Sequence, residues 1–264
     1  MKALGLILAR GGSKSIPKKS IYPCAGKPLL EYTIESALKA KLLDRVILST
    51  DDEEIAEVGR KAGAEVPFMR PQQLAEDTTP DLPVLEHALN WLKDNEGYEP
   101  DVVVHLRPTS PLRSAGDIDV GIQMMMDDPE AESLRSVVSP PHTPFKFYRI
   151  DEGEKFLRPI LKEGYPEVFE KLGEPYNMPR QILPATWAHV GYLDFVRREV
   201  VLEKKSMSGK NILPLFINRW RDMDIDSMRE MKEAERIVEL LRSKLGKEPW
   251  ENIDGETALK LIKE

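Results

Sequence analysis

A short segment near the start of the chain combines glycines with cationic side chains in a pattern suited to phosphate binding. The apolar run Ala3–Leu8 leads into Ala9-Arg10-Gly11-Gly12-Ser13-Lys14, and with Lys18 and Lys19 four cations fall within ten residues. Adjacent glycines let backbone N–H groups turn toward an anion, and lysine and arginine neutralise phosphate oxygens. The segment matches neither the Walker loop nor the GxGxxG dinucleotide motif. It therefore favours a phosphate-bearing ligand, with a solvated surface turn as the alternative.

Two acidic residues far along the chain form a candidate metal site. Asp224 and Asp226 flank Ile225, and alternate residues of a strand point to the same side. Two carboxylates together with phosphate oxygens and water suit Mg²⁺, which prefers hard oxygen ligands. The alternative is that these aspartates cap a helix beginning near Ser227, a position for which Asp226 is well suited.

Composition limits the classes of function. The chain has 264 residues, with 38 Lys plus Arg against 45 Asp plus Glu, so its formal net charge is −7. An acidic protein is a poor candidate for duplex nucleic acid as its main ligand. The single cysteine, Cys24, excludes a disulfide framework and a Cys-based zinc site. The opening apolar run is too short for a signal-peptide core or a membrane span, so we expect no membrane association and a cytoplasmic location.

The elements that must position these groups alternate between strands and helices. Such β–α–β repetition predicts an α/β fold with a mostly parallel sheet, in which ligands bind at the carboxyl ends of the strands. The expected strands are Ala3–Leu8, Arg45–Thr50, Asp101–Leu106 and Leu134–Val138. The expected helices are Leu29–Ala40, Asp52–Lys61, Val84–Lys93, Gly116–Met126 and one beginning at Ser227 and ending at Gly246.

The alternation stops after Val138. We predict a single α/β domain over residues 1–264, interrupted by a lobe at 139–184 and closed by a tail at 246–264. Residues 139–184 are rich in proline and aromatic residues, and a stretch of this length with little periodicity needs an explanation. Packing against a partner subunit would supply one, because exposed aromatic residues mark interfaces. An irregular surface lobe is the alternative.

Several motifs in their order along the chain resemble those of the cytidylyltransferases that activate sialic and other nonulosonic acids, as well as Kdo, as CMP-sugars. The loop Ala9–Lys19 is close to that family's signature loop. Further matches cover roughly residues 1–230: Pro28–Thr33, Ser49-Thr50-Asp51, Arg70-Pro71, Leu74–Thr78, Arg107–Arg113, Pro179-Arg180-Gln181 and Asp224-Ile225-Asp226.

The resemblance implies a reaction and roles for individual residues. The family transfers CMP from CTP to the anomeric hydroxyl of an α-keto-acid sugar and releases pyrophosphate, and the charge that develops on phosphate oxygens needs cations and Mg²⁺. Arg10, Lys14 and Lys19 match its catalytic cations, and Asp224 and Asp226 match its metal-binding pair. The matching nucleotide-binding positions are Ala9, Gly11, Gly12, Ser13, Ser20, Arg70, Asp77, Thr78 and Thr79. At position 20 the family usually has Asn, whose side chain reaches further than that of Ser.

The acceptor site departs from the family pattern at two positions. Enzymes for sialic acid commonly have Gln at the position of Arg107, whose planar fork suits a carboxylate or a phosphate. Asp194 stands where the family has a tyrosine, and it either contacts the sugar or is structural. The remaining matched substrate positions are Thr109, Ser110, Lys146, Arg180 and Gln181. We leave sialic, legionaminic and pseudaminic acids open; Kdo is disfavoured because its acidic QGD-type motif is absent.

Further expectations concern His105, the oligomeric state and the alternative functions. His105 and Arg107 should share one face by strand alternation, and we expect His105 to be buried and satisfied by backbone rather than to act as a base. The resemblance also implies a homodimer that uses part of residues 139–184. The alternatives are a nucleotidyltransferase for a sugar phosphate or phosphonate, and a nucleotide-binding regulator that has kept the fold without activity.

Overall fold

The computed structural model describes residues 1–263. Its strands are β1 (Ala3–Leu8), β2 (Pro23–Cys24), β3 (Lys27–Pro28), β4 (Arg45–Ser49), β5 (Val102–Leu106), β6 (Ser133–Val138), β7 (Tyr148–Arg149), β8 (Arg158–Pro159), β9 (Ala188–Arg197) and β10 (Ile212–Phe216). Its α-helices are α1 (Leu29–Lys39), α2 (Glu53–Ala62), α3 (Asp81–Glu96), α4 (Ala115–Asp127), α5 (Pro166–Leu172), α6 (Arg198–Leu202), α7 (Met228–Leu240) and α8 (Gly255–Lys263). Within residues 1–263 no helix has both the length and the apolar character needed to cross a membrane.

A six-stranded sheet with the order β10-β6-β9-β5-β1-β4 forms the centre of the fold. Strand β1 pairs in parallel with β4 and β5, while β9 runs antiparallel to β5. The predicted α/β class and the four predicted strands are confirmed. The sequence pattern missed β9 and β10, because both follow the irregular segment in which the alternation is lost.

Strand β1 is buried on both faces, as its apolar sequence predicts. Ala3 and Ile7 pack into one hydrophobic cluster together with α1 and α4, and Leu4 and Leu6 pack into a second cluster with α3. Burial on both faces is the property of a strand covered by helices on each side. The end of β1 is therefore held rigidly where it enters the glycine turn.

Local sequence signals fix the helix next to this turn. The Asp52 side chain accepts hydrogen bonds from the backbone N–H groups of Glu54 and Ile55, which caps α2. Helix α2 ends at Gly63, whose φ of 99° lies in the left-handed region that glycine adopts without strain.

The chain divides into two compact units, residues 1–136 with the chain from Val190 onward, and residues 137–189. The second unit contains the β7–β8 pair, α5 and a small core of Phe145, Phe169 and Leu183. The predicted lobe at 139–184 lies inside this unit.

The segment after Gly246 belongs to the first unit and contributes to its core. Helix α7 begins with a capping box between Ser227 and Glu230 and continues through a π-helical turn that ends at Gly246. Beyond it, Ile253 and Ala258 are buried in a cluster with residues of α1 and α7.

Candidate active site

A cleft of about 480 Å³ opens beside the carboxyl ends of β1 and β5. Parallel sheets bind their ligands at this edge. Arg10 and Lys14 line the cleft together with Asp224 and Asp226. The structure therefore brings the cationic glycine turn and the distant acidic pair to one place. The other predicted residues on its wall are Ala9, Ser13, Lys19, Ser20, Asp77, Arg107 and Thr109.

The glycine turn is shaped by contacts with the loop after β4. The Gly11 N–H donates to Asp51 Oδ1 at 3.0 Å, and the buried Ala9 N–H donates to the Ser49 carbonyl at 3.1 Å. A Cβ on Gly11 would lie 2.8 Å from Asp52 Oδ2, whereas a Cβ on Gly12 would meet nothing within 4 Å. Position 11 therefore requires glycine for close approach, and Gly12 leaves open space beside the turn.

Asp77 engages the two cations of the turn. Its Oδ1 lies 2.6 Å from Arg10 Nη1, and its Oδ2 forms an ion pair with Lys14 Nζ. Hydrogen bonds from Lys14 and Arg10 hold the pKa of Asp77 below its ordinary value. Asp77 therefore pairs with Arg10 and Lys14, the two cations that the sequence predicts to bind phosphate.

The acidic pair is positioned by the buried residue between its members. Ile225 is fully buried, and its N–H donates to the Thr109 carbonyl at 3.0 Å. Lys19 Nζ donates to the Ile225 carbonyl at 2.8 Å and to Asp226 Oδ1 at 2.9 Å. The segment is not the strand we expected but an irregular stretch before α7. Burial of Ile225 nevertheless leaves both flanking aspartates exposed.

The capping alternative for these aspartates is wrong. Ser227 is the N-cap of α7, because its side chain accepts from the Glu230 N–H. Asp226 contributes only its backbone N–H, which donates to Glu230 Oε2 at 2.8 Å. Its carboxylate is therefore not used by the helix.

The carboxylates in the cleft suit a hard divalent cation only if a bound ligand supplies further oxygen atoms. Residues 1–263 contain no group of three or more His, Cys, Asp or Glu side chains placed to hold a metal. Asp224 and Asp226 supply two carboxylates, which is the protein contribution that Mg²⁺ commonly takes beside substrate phosphates and water. The residues fit a magnesium ion that binds together with a polyphosphate.

Arg107 lies beside Gly191 in β9 and is tied to a buried carboxylate. Its Nη2 donates to Asp194 Oδ2 at 3.1 Å, and Asp194 Oδ1 lies 2.9 Å from Arg135 Nη1. Only 3 % of the Asp194 side chain is exposed. Asp194 is therefore placed behind Arg107, and a direct contact between Asp194 and a sugar has no support in its position.

The motif that follows Arg107 is internally braced. Arg113 is fully buried and donates to the Arg107 carbonyl at 2.9 Å and to Thr33 Oγ1 at 3.0 Å. Burial lowers the pKa of Arg113 to about 10. Ser110 Oγ donates to the Gly191 carbonyl at 3.2 Å. Arg113 and Ser110 thus hold the backbone on which Arg107 is presented.

His105 shares a face with Arg107, as strand alternation predicts. His105 Nδ1 and Arg107 Nη1 each lie 3.8 Å from Asp81 Oδ2. Burial lowers the pKa of His105 to about 4, so the ring is neutral near pH 7. The expectation that backbone satisfies this ring is wrong for Nδ1, which is buried and has no hydrogen-bond partner in residues 1–263.

A smaller cavity of about 270 Å³ adjoins Arg10, Asp77 and Asp81 and is also lined by Arg70 and Thr79. The Arg70 guanidinium is buried and donates to the Ser49 carbonyl at 2.5 Å and to Ser49 Oγ at 3.1 Å. Burial lowers its pKa to about 10.

Arg70 therefore braces the end of β4 from the wall of this cavity. Thr78, also assigned to the nucleotide by the sequence, is exposed in the segment between α2 and α3.

The remaining predicted substrate residues belong to the second unit. Lys146 is exposed at the end of a short 3-10 turn. Arg180 Nη2 donates to Ser139 Oγ at 2.8 Å and to the Pro140 carbonyl at 3.1 Å. Arg180 and Gln181 line a cavity of about 310 Å³ within this unit.

Sequence reasoning missed three charged residues of the first unit, Asp51, Asp81 and Arg135. Asp51 stood in a matched motif, so its contact with the glycine turn had a signal. Asp81 precedes the predicted helix in a stretch with no pattern of its own. The partner of Arg135 is on β9, a strand that the sequence pattern did not reveal.

Comparison with known proteins identifies the family of the chain. Residues 4–178 match the family model described as cytidylyltransferase. The chain is 47 % identical over 113 residues to a pseudaminic acid cytidylyltransferase of Campylobacter jejuni, a match covering 42 % of this chain and about half of that relative (48 %). It is 30 % identical over 244 residues to a CMP-N,N'-diacetyllegionaminic acid synthase of Legionella pneumophila, covering 91 % of this chain and 97 % of that one.

A solved structure shares the fold. The synthetase of CMP-2-keto-3-deoxy-manno-octonic acid, in complex with CTP, superposes with a TM-score of 0.65 at 17 % identity, over 90 % of this chain and 99 % of the other. The family match spans more than half of the present sequence, and the Legionella match spans nearly all of it. The chain therefore belongs to the cytidylyltransferase family.

Proposed function

We propose that this protein transfers CMP from CTP to the anomeric hydroxyl of a nonulosonic acid and releases pyrophosphate. The observation that carries the proposal is the convergence of Arg10, Lys14 and Lys19 with Asp224 and Asp226 on one cleft. The relatives named for pseudaminic and legionaminic acids support the acceptor class.

The cationic residues of the cleft neutralise the negative charge of the triphosphate in this reaction. The acceptor oxygen forms a bond to the α-phosphorus, the bond to the bridging oxygen breaks, and pyrophosphate leaves as the hydroxyl proton is released. Arg10 and Lys14 neutralise the triphosphate oxygens, and the N–H groups of the glycine turn add fixed dipoles. Lys19 holds the acidic pair in place while presenting its own charge to the cleft.

Asp224 and Asp226 would hold Mg²⁺ together with oxygens of the nucleotide. When bound, the ion neutralises charge on the transferring phosphoryl group. Lys19 contacts Asp226, so that carboxylate is oriented before the ligand arrives. Asp224 Oδ2 lies beside Gly191, where no side chain obstructs it.

Arg107 is the group that we assign to the negative charge of the acceptor. A nonulosonic acid carries a carboxylate on the carbon that bears the reactive hydroxyl. A planar guanidinium beside the metal-binding aspartates suits that arrangement. Thr109, on the wall of the cleft, is a further proposed sugar contact in the first unit. The roles predicted for Ser110, Lys146, Arg180 and Gln181 stay predictions.

We further propose that the active form is a cytoplasmic homodimer. The second unit exposes large apolar side chains, among them Ile150, Phe156 and Trp187, each more than half exposed. Apolar surface of this kind is typical of an interface between subunits. Sedimentation at micromolar concentration tests this, and a fully active monomer would refute it.

The activity is tested by pyrophosphate release with CTP, UTP and GTP against nonulosonic acids and sugar phosphates. We expect release with CTP and one or more nonulosonic acids. Turnover restricted to a sugar phosphate would show that the acceptor class is wrong. CTP binding without release for any acceptor would indicate a regulator rather than an enzyme.

A further inference from the structure

The two positions at which the acceptor site departs from the family pattern, Arg107 and Asp194, contact each other in the structure. They are joined by a hydrogen bond of 3.1 Å between Nη2 and Oδ2, although 87 positions separate them in sequence. The strand pairing explains the contact, because His105 lies opposite Asp194 where β5 meets β9. Asp194 therefore faces the same side as His105 and the Arg107 that follows it.

The carboxylate of Asp194 is built into the protein rather than offered to a ligand. It is almost completely buried between two guanidinium groups, those of Arg107 and Arg135. Arg135 is in turn fixed by a hydrogen bond of 2.5 Å from its Nη2 to the Met207 carbonyl. Truncating one member of such a buried set leaves an uncompensated charge, so the set acts as a unit.

This arrangement leaves part of Arg107 available to a ligand. About a third of its side chain (32 %) is exposed, and Nη1 forms only a long ion pair with Asp81 Oδ2 at 3.8 Å. Its Nε is buried without a hydrogen-bond partner in the described part of the chain, so it is not open to a ligand. Only the Nη2 corner of the fork is used by Asp194.

Gly191 supplies the room in which Arg107 lies. A Cβ at this position would be 2.9 Å from Arg107 Cδ, 3.1 Å from its Nε and 3.3 Å from Asp224 Oδ2. The space left by the missing side chain of Gly191 therefore lies between the Arg107 side chain and Asp224, one of the proposed metal ligands. An anion held by Arg107 would lie next to the metal site.

We propose that Asp194, Arg135 and Gly191 determine acceptor specificity by fixing Arg107 as the receptor for a carboxylate adjacent to the reacting hydroxyl. This inference rests on the proposed function. Asp194 and Arg135 are positioning residues, and Arg107 is the group that touches the acceptor.

The test compares the nonulosonic acid that gives the highest turnover with its carboxamide, which lacks the negative charge. For the unaltered protein we expect kcat/KM to favour the acid by about 100-fold, the size of a charged hydrogen-bonded contact. Arg107→Met should reduce that ratio to about 1. Asp194→Asn should reduce it at least 5-fold while the KM for CTP stays within 2-fold.

A matched control is Glu65→Gln, which neutralises a carboxylate paired with Arg45 at the surface of the same unit. This variant should keep the full kcat/KM preference for the acid over its carboxamide. Arg107→Met combined with Asp194→Asn should be no worse than Arg107→Met alone, because both act through one guanidinium. A folded Asp194→Asn variant that keeps the full preference for the acid would overturn the inference.

Gly191→Ala provides a second route if Asp194→Asn does not fold. Its methyl group would displace the Arg107 side chain without removing any charge, so the preference for the acid should fall at least 5-fold. An unchanged preference in Gly191→Ala would also overturn the inference. Absence of turnover in the unaltered protein with every acceptor would instead count against the proposed function.

Discussion

Lys19 Nζ and Asp226 Oδ1 lie 2.9 Å apart although 207 positions separate them in sequence. The same ammonium group donates to the carbonyl of Ile225 at 2.8 Å. Lys19 thus ties the end of the loop Ala9–Lys19 to the acidic segment before α7, so a folded first unit has both parts of the candidate site in place.

Neutralising Asp226 should raise the requirement for magnesium. Asp226→Asn keeps the size of the side chain but removes the charge that would bind the ion. Loss of outer-shell partners alone typically weakens metal affinity 10–100-fold, so we expect the half-saturating Mg²⁺ concentration to rise at least about 10-fold. A titration of pyrophosphate release with Mg²⁺ measures this. Glu256→Gln, at an exposed site on α8, is the control, and an unchanged Mg²⁺ dependence in Asp226→Asn would remove Asp226 from the site.

Removing the ammonium group of Lys14 should slow the reaction. Lys14→Ala deletes one cation from the turn without leaving a cavity, since the side chain is largely exposed. We expect kcat/KM for CTP to fall by about 10²–10³, as when one stabiliser of transition-state charge is lost. Steady-state kinetics measures the loss, and the exposed Lys61→Ala in α2 is the control. Near-normal kinetics for Lys14→Ala would exclude Lys14 from catalysis.

Removing the charge of Asp77 should strengthen the binding of pyrophosphate to the free protein. In the structure the Asp77 carboxylate forms ion pairs with both Arg10 and Lys14. An anion that binds these two cations must therefore displace the carboxylate. For Asp77→Asn we expect affinity to rise about 3–10-fold, since exposed ion pairs are individually weak. Calorimetric titration with pyrophosphate measures this. Glu76→Gln corrects for the change in net charge, and weaker binding in Asp77→Asn would show that Asp77 assists the anion.

The two glycines of the turn should differ in their effect on stability. In Gly11→Ala the new methyl group would collide with Asp52, the residue that caps α2. Loss of an N-cap costs about 1 kcal/mol, so the free energy of unfolding should fall by roughly that amount. Gly12→Ala meets open space and should stay within about 0.5 kcal/mol of the parent protein. Urea denaturation compares them, and equal effects would contradict the geometry.

The stability of the protein should fall between pH 6.5 and 4 because of His105. Burial lowers its pKa to about 4 from an ordinary value near 6.5, so in this window the unfolded chain binds a proton that the native chain does not. The free energy of unfolding therefore decreases as pH falls. Between pH 7 and 5 the contribution is about 2 kcal/mol.

Urea denaturation at both pH values, with His105→Gln beside the parent protein, isolates this contribution. The variant should lose about 2 kcal/mol less stability between pH 7 and 5 than the parent. His142→Asn, at an exposed position in the second unit, serves as the control. Parallel losses in the parent and in His105→Gln would show that His105 is not the responsible group.

The sequence by itself determined the parts of the fold that are encoded locally. Continuous apolar runs such as Ala3–Leu8 favour strands buried on both faces, and the glycines and cations after that strand favour anion binding by the turn. The order of the motifs also determined the family. These features depend on neighbours in sequence, so periodicity and spacing reveal them.

The tertiary structure alone decided which charged groups meet. Strand β9 reads as irregular sequence, yet it inserts between β5 and β6 and places Asp194 behind Arg107. Likewise, no local sequence pattern predicts that Asp77 pairs with Arg10, or that His105 Nδ1 has no hydrogen-bond partner in residues 1–263. The reason is physical: burial and ion pairing arise between groups distant in sequence, and their energies depend on distance and solvent access that only the packed chain sets.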